Sequence, residues 1–217
     1  MRRSQPARRP ASDGARRVKL LLATHNEHKR REFERLLAGR YEVQALPADL
    51  RLPPEDGRTF AENALGKARA AAHACGRVSI ADDSGIAAAA LDWAPGIRSA
   101  RYAGEHASDE QNLAKLLLEA PAGSALQYIC AIAYVDPRSG VEHVCEGRCD
   151  GRLAAQPRGE GGFGYDPAFV AEDGPAGHTM AELTDEQKDA ISHRGRAARE
   201  LLGWLAGQPA SGGAKAG

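Results

Sequence analysis

Apolar runs of strand length alternate with segments of helical periodicity along most of the chain. Such runs lie at residues 18–23, 41–46 and 78–81, and each predicts a buried strand. Two further runs, at residues 127–135 and 141–148, flank a turn-rich stretch and predict an antiparallel hairpin. Because a hairpin adds antiparallel pairs to strands that alternate with helices, the pattern predicts an α/β fold with a mixed β-sheet flanked by helices.

Helix boundaries are marked by capping residues. Capping boxes open at Ser108 and at Thr184, each with a glutamine three residues later. Gly195 lies inside the last predicted helix, where glycine costs about 1 kcal/mol relative to alanine. That cost indicates a break or a close approach of the chain, with the neighbouring His193 and Arg194 directed elsewhere.

The composition is that of an ordinary globular domain. The chain has 217 residues, 42% of them hydrophobic, and a formal net charge of zero, which argues against a nucleic-acid partner. It contains no apolar run long enough to span a membrane. Its four cysteines form no C-x-x-C pair, which fits a reducing, cytoplasmic setting. Residues 1–17 predict a disordered basic tail, 18–206 the folded domain and 207–217 a second disordered tail.

The third predicted strand leads directly into Asp82 and Asp83, followed by Ser84 and Gly85. Two adjacent carboxylates repel each other, and burial of an unpaired one costs several kcal/mol or forces it to take up a proton. A divalent cation such as Mg²⁺ would balance them, although a solvated turn is the alternative for these residue types. Neighbouring side chains of an extended chain point to opposite faces, so only one aspartate can face a given site.

Amides and cations recur elsewhere in the chain. Asn26 and Lys29 lie between the first predicted strand and the helix that follows it. The free backbone N–H groups of a helix N-terminus at such a position can bind an anion. A stretch at 159–169 matches G-x-G-x-x-G by letter, but the Tyr-Asp-Pro that follows cannot open the helix which a dinucleotide site requires. It instead offers aromatic faces beside flexible backbone. Carboxylates for a metal ion, cations for phosphates and aromatic rings for a base together indicate Mg²⁺-assisted phosphoryl chemistry on a nucleotide.

Several segments also carry a family resemblance. They lie in order at residues 24–29 (THNEHK), 55–64 (EDGRTFAENA), 81–85 (ADDSG), 94–97 (APGI), 99–102 (SARY), 162–167 (GFGYDP) and 192–195 (SHRG). Over roughly residues 18–206 the chain resembles the inosine/xanthosine triphosphate pyrophosphatases, which hydrolyse deaminated purine nucleoside triphosphates to the monophosphate and pyrophosphate. The resemblance implies an elongated mixed α/β fold with a central cleft, a homodimer and a Mg²⁺ cofactor.

The resemblance also implies residue roles. Asp83 would be the catalytic residue, accepting a proton from the attacking water and holding Mg²⁺, with Glu55 and Asp82 as further metal contacts. Thr24, Asn26 and Lys29 would hold the triphosphate. The base and sugar pocket would be formed by Phe163, Gly164, Tyr165, Asp166, Lys188, His193 and Arg194. The remaining implied substrate contacts are His25, Glu27, His28, Lys67 and Ser84.

Two other interpretations stay open at this point. One is a pyrophosphatase for pyrimidine or modified nucleotides, and the other is a binding module whose N-terminal arm, residues 1–17, contacts nucleic acid. The chain also departs from the family pattern. His25 and the Asp92–Trp93 pair replace smaller residues of many relatives, which affects the expected loop shape rather than the expected chemistry.

Overall fold

A mixed β-sheet organises the structure, a computed structural model that describes residues 18–208. The predicted tail at 1–17 and residues 209–217 of the second predicted tail lie outside the described residues. The described part contains a seven-stranded sheet in the order β2-β1-β3-β5-β6-β7, with β4 paired to β3. The strands are β1 (Val18–Leu22), β2 (Tyr41–Ala45), β3 (Ser79–Ala88), β4 (Ala94–Pro95), β5 (Ala125–Val135), β6 (Glu142–Leu153) and β7 (Phe169–Ala171).

Five α-helices within residues 18–208 accompany the sheet. They are α1 (Glu27–Leu36), α2 (Phe60–Cys75), α3 (Asp109–Glu119), α4 (Asp185–Ile191) and α5 (His193–Gly207). The strand pairs β1–β2 and β1–β3 are parallel, whereas β3–β5, β5–β6 and β6–β7 are antiparallel. The predicted mixed α/β fold and its hairpin are therefore confirmed. No helix within the described residues is both long and apolar enough to cross a membrane.

The third strand is longer than the apolar run predicts. Instead of ending at Ala81, β3 continues through the aspartate pair to Ala88. The strand β5 pairs with β3 along its whole length, whereas β1 pairs with it only as far as Ile80. Asp82 and Asp83 consequently lie in mid-strand, just beyond the end of β1, rather than at a strand tip.

Alternation along β3 sends the two aspartates to opposite faces of the sheet. Ile80 belongs to an apolar cluster with residues of α1 and α5, whereas Ala81 packs in a second cluster with the alanine-rich face of α2. By the two-residue period of a strand, Asp82 shares the face of Ile80 and Asp83 that of Ala81. The helices α1 and α5 therefore supply partners to one carboxylate, and α2 supplies partners to the other.

The last predicted helix is broken in two. Ser192 ends α4 and also caps the N-terminus of α5, where its hydroxyl accepts a hydrogen bond from the backbone N–H of Gly195. A Cβ added at Gly195 would lie 1.9 Å from the carbonyl oxygen of Asp189. The predicted break and the predicted close approach are both confirmed. The break places His193 and Arg194 at the start of α5, where both are buried.

Candidate active site

A pocket of about 330 Å³ opens where β1 ends and β3 continues. Its walls come from the turn after β1, the segment before α2, the middle of β3, the glycine-rich loop and the start of α5. Most of the residues assigned by resemblance line it, namely Thr24, His25, Asn26, Lys29, Glu55, Lys67, Asp83, Ser84, Phe163, Gly164, Tyr165, Asp166, Lys188, His193 and Arg194. Residues far apart in sequence are thus brought together as the motifs predicted.

The turn after β1 fixes the N-terminus of α1 at the pocket. Asn26 is the N-cap of α1, and its side-chain oxygen accepts a hydrogen bond of 3.1 Å from the Lys29 backbone N–H. The Thr24 hydroxyl in turn accepts one of 3.1 Å from the Asn26 N–H. The positive end of the helix dipole and its unpaired N–H groups favour an anion here, as expected for a phosphate site.

Asp83 is held from the α2 side of the sheet. The Asn63 amide donates a hydrogen bond of 2.9 Å to Asp83 Oδ2, and Lys67 Nζ lies 3.9 Å from Asp83 Oδ1. Lys67 Nζ also donates to the Glu55 carboxylate. Burial raises the pKa of Asp83, Lys67 opposes the increase, and the charge of Glu55 adds to it. The result is a carboxylate that faces the pocket and has an increased affinity for a proton.

Asp82 has a different environment. Its Oδ2 lies 3.0 Å from Lys29 Nζ and 3.1 Å from Arg194 Nη2, and the residue is not among those that line the pocket. Burial favours a higher pKa for Asp82, but Lys29 and Arg194 outweigh it and hold the pKa well below its usual range. Asp82 therefore stays ionised as the partner of two cations. This placement departs from the predicted metal-ligand role.

A chain of alternating charges extends from Asp82 along the pocket, and four of its six members line the pocket. Glu32 of α1 accepts hydrogen bonds of 2.6 Å from Lys188 and 2.5 Å from Arg194. Lys188 also donates one of 2.6 Å to Asp166. The complete chain, which we call the buried charge chain, alternates cation and carboxylate in the order Lys29, Asp82, Arg194, Glu32, Lys188 and Asp166.

Sequence reasoning missed Glu32, although a signal was present. Glu32 is 5% exposed and lies beside Phe33, one turn before Leu36 on the same side of α1. A carboxylate at an inward-facing position of an amphipathic helix requires a buried partner. The sequence does not identify that partner, because Lys188 and Arg194 lie 156 and 162 residues away.

Aromatic rings form one wall of the pocket. The ring of Phe163 has the His28 ring stacked on it at 5.3 Å, and the charged groups of Lys188 and Arg194 lie 5.1 and 5.6 Å from its centroid. His193 stacks on Tyr128 with centroids 4.4 Å apart and rings 7° from parallel. Burial, followed by the charges of Arg194 and Lys188, lowers the pKa of His193 well below its ordinary value, so its ring is neutral.

Two predicted substrate contacts lie outside this lining. Glu27 is exposed at the start of α1, where its carboxylate accepts a hydrogen bond of 3.0 Å from Arg30 rather than facing the pocket. His28 reaches the site only through its stack on Phe163. Within residues 18–208 no group of three or more His, Cys, Asp or Glu side chains forms a ready metal site, so the predicted set of Glu55, Asp82 and Asp83 is not assembled. The separation of Asp82 from Asp83 by the sheet explains this.

Comparisons with known proteins identify the relatives of this chain. Residues 20–204 match the family model described as the Ham1 family. The dITP/XTP pyrophosphatase of Cutibacterium acnes is 46% identical over 85% of this chain and 94% of its own length, and that of Frankia alni is 47% identical over 85% and 95%. The solved structure of a HAM1 protein from Coxiella burnetii has a TM-score of 0.76 at 37% identity, covering 88% of this chain and all of that one. The chain therefore belongs to the Ham1 family.

Proposed function

We propose that the protein hydrolyses deaminated purine nucleoside triphosphates (ITP, dITP and XTP) to the nucleoside monophosphate and pyrophosphate, thereby clearing them from the nucleotide pool. The observation that carries the proposal is the position of Asp83, a buried carboxylate facing a pocket between a helix N-terminus and an aromatic wall. The relatives named dITP/XTP pyrophosphatase support the same activity.

The pocket offers the groups that this reaction needs. The triphosphate lies at the N-terminus of α1, where Thr24, Asn26 and Lys29 surround it. Asp83 accepts a proton from the water that attacks the α-phosphorus, and its raised pKa suits a general base. Lys67, whose pKa is also raised because Asp82, Glu55 and Asp83 together outweigh burial, stays charged beside the developing negative charge.

The residues present fit a divalent cation, for which we propose Mg²⁺. Glu55 and Asp83 both face the pocket; burial raises the pKa of Asp83 most, and the charge of Glu55 adds to the increase. One or two carboxylates together with substrate phosphates are the usual ligands of Mg²⁺. Glu55 and Asp83 would hold the ion, while Oδ2 of Asp82 already pairs with two cations. Bound there, Mg²⁺ would neutralise charge on the phosphate oxygens.

The opposite end of the pocket suits a purine that carries an oxygen at its 6-position. The Lys188 ammonium has three donors, and Glu32 and Asp166 accept two of them, which leaves one for the ligand. The amine of adenine would place a donor where the site also presents donors, and such mismatches can reduce kcat/KM by up to ~10⁴-fold. Phe163 supplies a flat face, and the buried charge chain keeps Lys188 and Arg194 protonated.

A substrate panel tests the proposal. Purified protein with Mg²⁺ is incubated with ITP, dITP, XTP, ATP, GTP, UTP and dTTP, and pyrophosphate and single phosphate are quantified separately. Release of pyrophosphate from the first three in preference to the others is the expected result. Release of single phosphate, or a preference for UTP or dTTP, would contradict it; the latter would establish a pyrimidine pyrophosphatase instead.

We further propose a cytoplasmic homodimer. The family resemblance supports the dimer, and the location follows from the proposed substrates together with the four cysteines, all of which are free thiols. Sedimentation velocity at micromolar concentration would give the mass of a dimer, and a monomeric mass would contradict that part of the proposal.

A further inference from the structure

The segment between β2 and α2 brings Glu55 to the pocket without regular secondary structure. Residues 50–57 form neither helix nor strand, yet Leu52, Pro53 and Glu55 line the pocket. Backbone without helix or sheet bonds opens readily unless other groups hold it. Lys67 contacts the Glu55 carboxylate directly, and the position of the Glu55 backbone depends on what holds this segment.

Side chains from three other parts of the fold contact the backbone of the segment. The contacts are His25 Nε2 with the Leu50 carbonyl oxygen at 3.1 Å, Arg101 Nη2 with the Glu55 carbonyl oxygen at 3.0 Å, and Asn63 Oδ1 with the Gly57 N–H at 2.8 Å. Of these three backbone contacts, only that of Arg101 is made at Glu55. A hydrogen bond with a charged donor is also about twice as strong as a neutral one.

Arg101 is separate from the rest of the site. Asn63 also bonds Asp83, and His25 lines the pocket, so loss of either would disturb more than the segment. Within residues 18–208, Arg101 is not among the pocket-lining residues, and its side chain makes one hydrogen bond, to the Glu55 carbonyl. Its role can therefore be tested without removing a group that faces the substrate.

Hydrogen bonds fix the short helix that carries Arg101. Arg101 ends a short 3₁₀ helix, Gly96–Arg101, in which the Ser99 hydroxyl donates a hydrogen bond of 2.6 Å to the Gly96 carbonyl. The same hydroxyl accepts one of 2.8 Å from the Ile86 N–H of β3, the strand that carries Asp83. Arg101 thus links the backbone of Glu55 to the strand of Asp83.

We propose that Arg101 is a positioning residue that fixes Glu55 relative to Asp83, and thereby sets the affinity of the two carboxylates for a divalent cation. The inference rests on the proposed function only for the identity of that cation. Arg101 acts through the backbone of Glu55 and does not contact the substrate.

The first test uses the protein without substrate or metal. Amide exchange at Gly57 and Arg58, whose N–H groups bond Asn63 and Glu62, is measured by NMR in the wild type, Arg101→Gln and Arg98→Gln. Arg98 is a matched control because it is exposed on the same 3₁₀ helix. Loss of one charge-assisted bond should speed exchange about tenfold in Arg101→Gln and leave Arg98→Gln unchanged. Equal exchange rates in all three proteins would overturn the proposal.

The second test measures cation binding. Calorimetric titration with Mg²⁺ alone should give a Kd about tenfold higher for Arg101→Gln than for the wild type. Arg101→Lys, which keeps a charged donor, should restore part of the affinity, and Arg98→Gln should match the wild type. Faster exchange with an unchanged Mg²⁺ affinity would contradict the positioning role. Because neither test needs substrate, failure of the proposed nucleotide hydrolysis would be recognised separately from failure of this inference.

Discussion

Glu32→Ala is the substitution that most directly tests the buried charge chain. It removes the shared carboxylate between Lys188 and Arg194, whose side chains are 5% and 2% exposed, and leaves each with one carboxylate partner. Removal of one partner from a buried ion pair destabilises a protein by about 3–5 kcal/mol. For a domain of this size the melting temperature falls by about 2–4 °C per kcal/mol, so we expect a decrease of about 6–20 °C.

The assay is thermal and urea unfolding at neutral pH, with Glu34→Ala as the matched control. Glu34 lies on the same helix, but it is exposed, and its ion pair with Arg30 lies at the surface, where such pairs contribute little to stability. If Glu32→Ala lowers the free energy of unfolding no more than Glu34→Ala does, the buried charge chain does not stabilise the fold as argued.

The pH dependence supplies a second measurement on the same residue. Burial alone would raise the pKa of Glu32, but Arg194 and Lys188 outweigh it and hold the pKa below the ordinary value of 4.5. A lowered folded-state pKa gives stability that is complete above the unfolded-state pKa and is lost as the pH falls through the folded-state pKa. Glu32→Gln should lose less stability than the wild type on acidification below pH 4.5. An identical acid dependence in the two proteins would refute this reasoning.

Two further substitutions test the glycine at the helix break and the loop that carries the aromatic wall. Gly195→Ala places a Cβ 1.9 Å from a backbone carbonyl oxygen and should lower the free energy of unfolding in urea by about 1–3 kcal/mol. The control is Gly203→Ala in the same helix, whose Cβ meets no atom within 4 Å and which should stabilise the protein by up to about 1 kcal/mol. Equal effects of the two substitutions would contradict the close-approach argument. Asp109→Ala removes the carboxylate that accepts a 2.9 Å hydrogen bond from the Gly164 N–H, and should raise KM for ITP roughly tenfold with little change in kcat. Glu110→Ala, one residue further along α3, serves as control, and a similar rise in its KM would count against a specific role of Asp109.

The sequence predicted the sheet class and most of the residues that line the pocket better than it predicted how those residues are connected. The period of two in a strand already implied that Asp82 and Asp83 face opposite ways. It could not show which of them faces the pocket, because that depends on Asn63 and Lys67 in α2 and on Arg194 in α5. The apolar run at 78–81 also predicted too short a third strand. The strand β5 pairs with β3 through the polar residues Asp82 and Asp83, and such pairing cannot be seen in a local sequence pattern.

Helix signals were more reliable because they are local. The capping boxes at Ser108 and Thr184 open helices where predicted, and each is closed by the expected glutamine. The buried charge chain could not be predicted, since each of its links joins residues more than 20 positions apart in the sequence. Glu32 shows the limit: its inward position is readable from the helix period, but its two partners are known only from the fold.

The account depends on Asp83 as the carboxylate that accepts the proton of the attacking water. Initial rates of pyrophosphate release from ITP, measured with saturating Mg²⁺ for the wild type and Asp83→Asn, test it most directly. Loss of a general base should lower kcat by about 10²–10⁴-fold, while thermal unfolding shows that the variant is still folded. A folded Asp83→Asn enzyme with a kcat close to that of the wild type would contradict the account.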